Sequence, residues 1–386
     1  MNRTHNIKDK LPEYGQSIFA QMTFFANAHN AINLAQGFPE EDGPPELLQF
    51  LGEAAQKGFN QYAPMTGLPG LNKAIADKWQ KEYGIQLDPK ENIQISPGAT
   101  QAIFTALQAL VHPGDEVIVF TPAYDSFIPG IKLAGGKAVV VPTYKPDFEP
   151  DWEKFEAAIS PKTKAVLVNT PHNPSGRCFS EEDWKTLIRL TSEQNIILIS
   201  DEVYEPLVFD GKSHLSLLHF PEVFHRSLAI FSFGKAFNIT GWKIGYLAGA
   251  PQLLDVFRKV HQFQIFSVHT PSQFALAKFM QKGGNSLDFK DDYEQKRNYF
   301  SKAIAEIGFK PLSCAGSYFL LADYSALSEK GDIEFCEWLT KDIGVSAVPT
   351  SVLYHPHFDQ KLIRFCFAKK QETLGKAIEK LWKISE

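Results

Sequence analysis

The sequence predicts an α/β fold: a mostly parallel central sheet flanked by helices, with a smaller α+β unit attached. Three observations carry this. Between residues 92 and 233, short Val- and Ile-rich runs recur without alternating with polar residues, as strands covered on both faces do. Helical patterns lie between several of these runs, so the strands need crossover connections. After residue 285 the texture changes to longer helical stretches separated by isolated strands.

In chain order, strands are expected at NIQIS (92–96), EVIVF (116–120), KAVVV (137–141), KAVLVN (164–169), NIILIS (195–200) and LAIFSF (228–233). TQAIFTALQAL (100–110) and EEDWKTLIRLTSEQ (181–194) read as helices among them. Further on, 289–308 reads as a long helix, GSYFLLAD (316–323) as a strand, and IEFCEWLTKDIG (333–344) as a helix ended by glycine. GVSAVPT (344–350) and KLIRFCFA (361–368) read as strands, and ETLGKAIEKLWKI (372–384) as a closing amphipathic helix.

The chain of 386 residues is long enough for a large buried core. Its 44% hydrophobic and 22% charged residues are ordinary for a globular protein, and a net charge of -5 offers no basic field for nucleic acid or anionic lipid. Cysteines 178, 314, 336 and 366 are far apart and form no CxxC, which argues against a disulfide framework or a zinc knuckle. No apolar run reaches membrane-spanning length and the N-terminus lacks an apolar signal core, so a cytoplasmic setting is expected. HPH (355–357) lacks a third ligand nearby and reads as a loop rather than a metal site.

In an open parallel sheet, ligands collect beyond the carboxyl ends of the strands. There the sequence places unusual residues. PGATQA follows the first run: a glycine turn opening a helix offers free N–H groups to an anion, with the Thr100 hydroxyl beside them, although an ordinary helix cap reads the same way. Tyr124 follows the second run and Asn173 the fourth. Asp201 and Glu202 close a strand that should be buried, a place where a carboxylate needs a cationic partner or good donors, supplied by a structural salt bridge or by the positive charge of a ligand. Lys235 follows the last run, where desolvation lowers a lysine's pKa and yields the free amine that carbonyl chemistry requires. Ser232 and Lys243 flank it and suit a phosphate. An anion cradle, a flat aromatic, an amide, a carboxylate and a reactive amine together match pyridoxal 5'-phosphate.

NPSG (173–176), SDEVY (200–204), SFGKAFNITGWKIGY (232–246) and IRFCFA (363–368), in this order, resemble the fold type I, class I/II aminotransferases. The likeness runs from LAQGFP (34–39) to the end of the chain. TGWKIG has lysine where many members have arginine, and with QYAPMTG (61–67) and TPHNPS (170–175) it resembles the branch of kynurenine and glutamine transaminases and bacterial methionine aminotransferases. The resemblance implies a Schiff base between Lys235 and the cofactor, Asp201 on the pyridine nitrogen, Tyr204 and Asn173 on the ring oxygen, and Tyr124 stacked on the ring. It implies a phosphate held by Ala99, Thr100, Ser232 and Lys243, with Tyr62 reaching the site of a partner subunit in a homodimer. Arg364 and Gly37 would hold the substrate carboxylate, and Tyr14, Ile18, Phe19 and His269 would line the side-chain pocket. These last are mostly aromatic or apolar, which favours a neutral amino donor such as methionine or an aromatic. The chain then divides into a large cofactor-binding unit over 43–285 and a small unit made of the N-terminal arm 1–42 and the C-terminal α+β part 286–386. Two other readings stay open at this point: a carbon–sulfur β-lyase working on cysteine conjugates with the same residues, and a cofactor-sensing regulator.

Overall fold

The computed structural model describes residues 8–384. Residues 1–7, which belong to the expected N-terminal arm, and 385–386 lie outside the described residues. The helix Ile18–Ala28 leads into a short strand, β1 (Ile32–Asn33). Seven strands then build the central sheet: β2 (Ile93–Ser96), β3 (Glu116–Thr121), β4 (Lys137–Pro142), β5 (Thr163–Asn169), β6 (Ile197–Asp201), β7 (Ser227–Ser232) and β8 (Gly245–Gly249). Their order is β2-β8-β7-β6-β5-β3-β4. Neighbours from β7 to β4 run parallel, while β8 is antiparallel to both β7 and β2. β2 therefore points the same way as β7, and the carboxyl ends of β2, β3, β5, β6 and β7 share one edge.

Every apolar run expected as a central strand forms one. β8 was not foreseen. Between its terminal glycines it offers only Tyr-Leu-Ala, too short for a periodic signal. The glycines are needed: a Cβ at Gly245 would lie 2.4 Å from the Phe231 carbonyl oxygen, and one at Gly249 2.4 Å from that of Ser227. The absence of polar alternation has a direct cause. Val117 and Val119 of β3 enter the cluster that includes the helix Ala99–Leu110, whereas Ile118 between them packs with Trp184 and Leu187 of the helix Glu181–Ser192. Both faces are covered, so both sets of side chains must be apolar.

The remainder forms a four-stranded antiparallel sheet from β9 (Lys310–Pro311), β10 (Phe319–Asp323), β12 (Val348–Pro349) and β13 (Leu362–Cys366), in the order β12-β13-β10-β9. Between them in the chain, β11 (Val345–Ser346) leaves this sheet and pairs in parallel with β1. The stretch GVSAVPT is thus not one strand. Its two halves, separated by Ala347, serve different sheets and tie the start of the chain to its end. The helix expected over 333–344 is Asp332–Trp338 followed by a π-helical segment, Leu339–Ile343; Gly344, at φ 85°, stops it as expected. The long helix Lys290–Ile307 and the closing helix Gln371–Leu381 match their expected positions within a few residues. Among the described residues no helix is long and apolar enough to cross a membrane.

Candidate active site

The shared strand edge opens into a cavity of about 240 Å³. Gly98, Ala99 and Thr100 enter it from the start of the helix after β2, Tyr124 from beyond β3, Asn169 and Asn173 from the end of β5, and Asp201 and Tyr204 from the end of β6. Ser232 and Lys235 come from the end of β7 and the short helix Phe233–Ala236. Arg364 and Phe319 close it from β13 and β10, and Phe19 and Gly37 from the first part of the chain.

Lys235 is held by the long arm of its own side chain against Gly37 and Tyr318. Its Nζ donates to the Gly37 carbonyl oxygen at 3.0 Å and to the Tyr318 hydroxyl. Burial lowers its pKa to about 8, within reach of the neutral amine. Asp201, 5% exposed, shows the opposite shift, pushed up to about 7 by burial. Among the described residues its carboxylate receives one long bond, 3.3 Å, from the Val203 N–H. A buried acid with one weak donor has capacity for a cationic N–H partner.

The helix Ala99–Leu110 begins after Gly98, whose φ of 84° lies in the region that favours glycine. A Cβ there would meet Lys243 Nζ at 3.5 Å, so the ammonium sits directly beside this turn. Lys243 itself takes φ 50°, a left-handed conformation that costs a non-glycine residue on the order of 1 kcal/mol or more. Free N–H groups at a helix start, a cation and the Ser232 and Thr100 hydroxyls form a set of donors that could hold an anion.

Arg364 is 1% exposed. Its guanidinium lies 3.8 Å from the Phe319 ring centre and 4.7 Å from that of Phe19. Nη1 donates to Asn173 Oδ1 at 2.7 Å and Nη2 to the Ala35 carbonyl at 2.8 Å, whereas Nε has no partner. Among the described residues no carboxylate pairs with it at salt-bridge distance, so this buried cation lacks its anion. Gly37 is fixed by packing: a Cβ would lie 2.5 Å from Phe319 Cζ. Tyr124 stands beside Phe19, with ring centres 6.3 Å apart.

Of the residues singled out from sequence, Tyr14, Ile18, Tyr62 and His269 do not line this cavity. His269 bonds Ser272 through Nδ1 at 2.7 Å, and its neighbour Thr270 bonds the Gln61 carbonyl, which places it beside the Tyr62 segment. Tyr62 is 81% exposed and meets Phe266 edge-on. Sequence reasoning passed over Tyr318, Phe319 and Asn169. GSYFLLAD read only as a strand, and nothing local in it marks two aromatics as site residues. Asn169 accepts the Asn173 N–H at 2.7 Å and donates to the Asp201 carbonyl at 2.9 Å, joining the ends of β5 and β6. Cys178 is buried enough to push its thiol up to about 12, as suits a packing residue.

A second cavity, about 230 Å³, adjoins the first through Val203 and Ser232. It is as large, but its central cation is already satisfied: Lys78 pairs with Glu205 at 2.8 Å and Glu82 at 3.2 Å. The buried cation without a carboxylate partner, Arg364, lines the first.

A family profile described as aminotransferase class I and II matches residues 29–381. The chain is 45% identical to the methionine aminotransferase of Escherichia coli K12, covering 97% of each chain. It is 36% identical to kynurenine–oxoglutarate transaminase 3 of Rattus norvegicus, over 94% of this chain and 87% of that one. The solved structure of YbdL from Escherichia coli, described as having a methionine aminotransferase function, superposes with a TM-score of 0.95 over 98% of this chain and 99% of that one.

Proposed function

The chain belongs to the class I and II aminotransferases, and from that premise we propose that it uses pyridoxal 5'-phosphate to move the amino group of a neutral L-amino acid, methionine or an aromatic, to a 2-oxo acid. The observation that carries this is one cavity holding a buried amine lowered to about 8, a buried carboxyl raised to about 7, an anion cradle and a buried guanidinium without an anion. Each fits one part of that cofactor or of an amino acid. The cradle of Ala99, Thr100, Ser232 and Lys243 takes the phosphate, and Asp201 the ring nitrogen. Asn173 and Tyr204 take the ring oxygen, Tyr124 the ring face, and Lys235 the aldehyde. Arg364, with Gly37, takes the substrate carboxylate.

When bound, the cofactor supplies a carbonyl for the amine and a ring that accepts the electron pair left at Cα. The chain supplies the rest. Lys235, once freed from the aldehyde, would take the α-proton and return it, positioned proton transfer typically contributing about 10²–10⁴-fold. Arg364 orients the substrate through its carboxylate. Asp201, ionised by a cationic partner, keeps that partner protonated. Among the described residues, Lys235, Lys243 and Arg364 are the cavity's lysines and arginines, and each has a task, so none of them is left for the second carboxylate of aspartate or glutamate. The names of the relatives point the same way.

The same reading extends to assembly and setting. Exposed Tyr62, Phe263 (86% exposed) and Phe266 supply apolar surface for a homodimer in which Tyr62 and His269 serve the partner's cavity. Residues 43–285 act as the cofactor-binding unit, with 1–42 and 286–386 as the smaller one. All four cysteines are free, in keeping with a reducing cytoplasm.

A ranked panel of amino donors tests the substrate class. Methionine, phenylalanine, tyrosine and glutamine are expected to outrun aspartate, and a preference for aspartate defeats the proposal. Borohydride reduction followed by peptide mapping tests the chemistry: the pyridoxyl tag belongs on Lys235, and a tag elsewhere overturns the assignment.

A further inference from the structure

Tyr318 lies in a strand-like stretch that the sequence does not single out, yet it touches the amine on which the proposed reaction depends. Three hydrogen bonds close a triangle. Lys235 Nζ donates to the Tyr318 hydroxyl and to the Gly37 carbonyl at 3.0 Å, and the Tyr318 hydroxyl donates to the same carbonyl at 2.9 Å. The donor count is consistent only one way. An ammonium has donors alone, a carbonyl accepts alone, and a hydroxyl does one of each.

Two corners of this triangle are fixed without the lysine. Tyr318 has no exposed surface. Its ring is gripped by Tyr204 at 5.1 Å and Phe319 at 5.0 Å, both edge-on, and by Tyr293 at 6.0 Å. Gly37 is pressed against Phe319 so closely that no side chain fits. The lysine is a flexible arm on four methylenes. A rigid pair of acceptors facing a flexible donor is a resting place for that donor.

We propose that Tyr318 is a positioning residue for Lys235: its hydroxyl and the Gly37 carbonyl receive the amine whenever it is not covalently engaged and hold it at the cavity wall. This rests on the reading of Lys235 as the reactive amine. An amine displaced by substrate must stay close enough to move a proton yet leave the site it vacated, and the cradle does both. Burial opposes the charge on this amine most; Lys243 and Arg364 oppose it further, and Asp201 favours it. The Tyr204 ring also faces it, at 5.8 Å. None of these replaces the acceptor that Tyr318 provides.

The test measures the amine itself. The full-length chain, freed of cofactor, is trace-labelled with acetic anhydride across a pH series, and modification of Lys235 is followed by peptide mass analysis. Removing an acceptor destabilises the ammonium, so Tyr318→Phe is expected to lower the labelling midpoint of Lys235 by about one to two pH units, the size of one hydrogen bond to a charged group. Other lysines should keep theirs, and Tyr318→Gln, which restores an acceptor, should recover much of the shift. In the cofactor-loaded enzyme kcat should fall while KM for methionine stays put. An unchanged midpoint in Tyr318→Phe overturns the proposal. Should that variant not fold, a crystal structure of the parent enzyme treated with methionine alone decides: Nζ within hydrogen-bond reach of the Tyr318 hydroxyl supports the cradle, and Nζ elsewhere ends it. A borohydride tag away from Lys235 would sink the assignment of the reactive amine but not the hydrogen bond, so the two failures are distinguishable.

Discussion

Replacing Arg364 with lysine keeps the charge and removes the planar fork. The structure sets the size of the effect. Of the guanidinium's five N–H groups, Asn173 and the Ala35 carbonyl occupy one each, leaving three for a substrate carboxylate, among them the unpartnered Nε–H. An ammonium has three donors, and the same two acceptors would leave it one. The carboxylate then exchanges a two-pronged grip for a single bond. Losing one hydrogen bond to a charged group costs about 1.5–3 kcal/mol, roughly a 10- to 150-fold fall in kcat/KM. The lysine also gives up the flat contact with Phe319 at 3.8 Å. Steady-state kinetics with methionine, phenylalanine, tyrosine and glutamine provide the assay. Every donor carries the same α-carboxylate, so the fall should be uniform across them. Parent-like rates, or a loss confined to one side chain, would refute the assignment of Arg364 to the carboxylate.

Lys235→Ala should abolish turnover and the absorbance near the visible edge that a linked cofactor gives, as a spectrum with and without methionine will show. Asp201→Asn should nearly eliminate turnover, because an uncharged amide cannot keep the ring nitrogen protonated. In the cofactor-free protein the same change should stabilise. The folded-state pKa of Asp201 is raised to about 7, so the stability tied to its neutral form is complete below about pH 4 and lost as pH rises to about 7, by up to roughly 4 kcal/mol. Urea unfolding of both forms at pH 8 checks this, and a wild type as stable as the amide variant contradicts it. Gly37→Ala should cost about 1–3 kcal/mol in urea unfolding, since its Cβ must displace the Phe319 ring. Because that ring lies against Arg364, KM should rise for all donors alike; a change in kcat alone would speak against the contact.

The central strands were legible because each is short, apolar on both faces and bounded by turn residues, so the local pattern and the tertiary environment agree. β8 was not, because its strand character comes from the neighbours that bracket its glycines. β11 and β12 read as one strand because nothing local says that Ala347 is where the chain passes from one sheet to another.

The site divides in the same way. The sequence by itself determined that a lysine, a carboxylate, an amide and a glycine turn opening a helix follow buried strands. A parallel sheet then delivers them to one edge, since strand direction fixes which ends coincide. Only the tertiary structure decided what meets them from afar. Tyr318 reaches Gly37 across 281 positions of chain, and Arg364 reaches Asn173 across 191. It also decided that Tyr14, Ile18, Tyr62 and His269 leave this chain's own cavity. Periodicity carries information over a turn or a strand; contacts between distant segments depend on how whole elements pack, and no local run of residues records that.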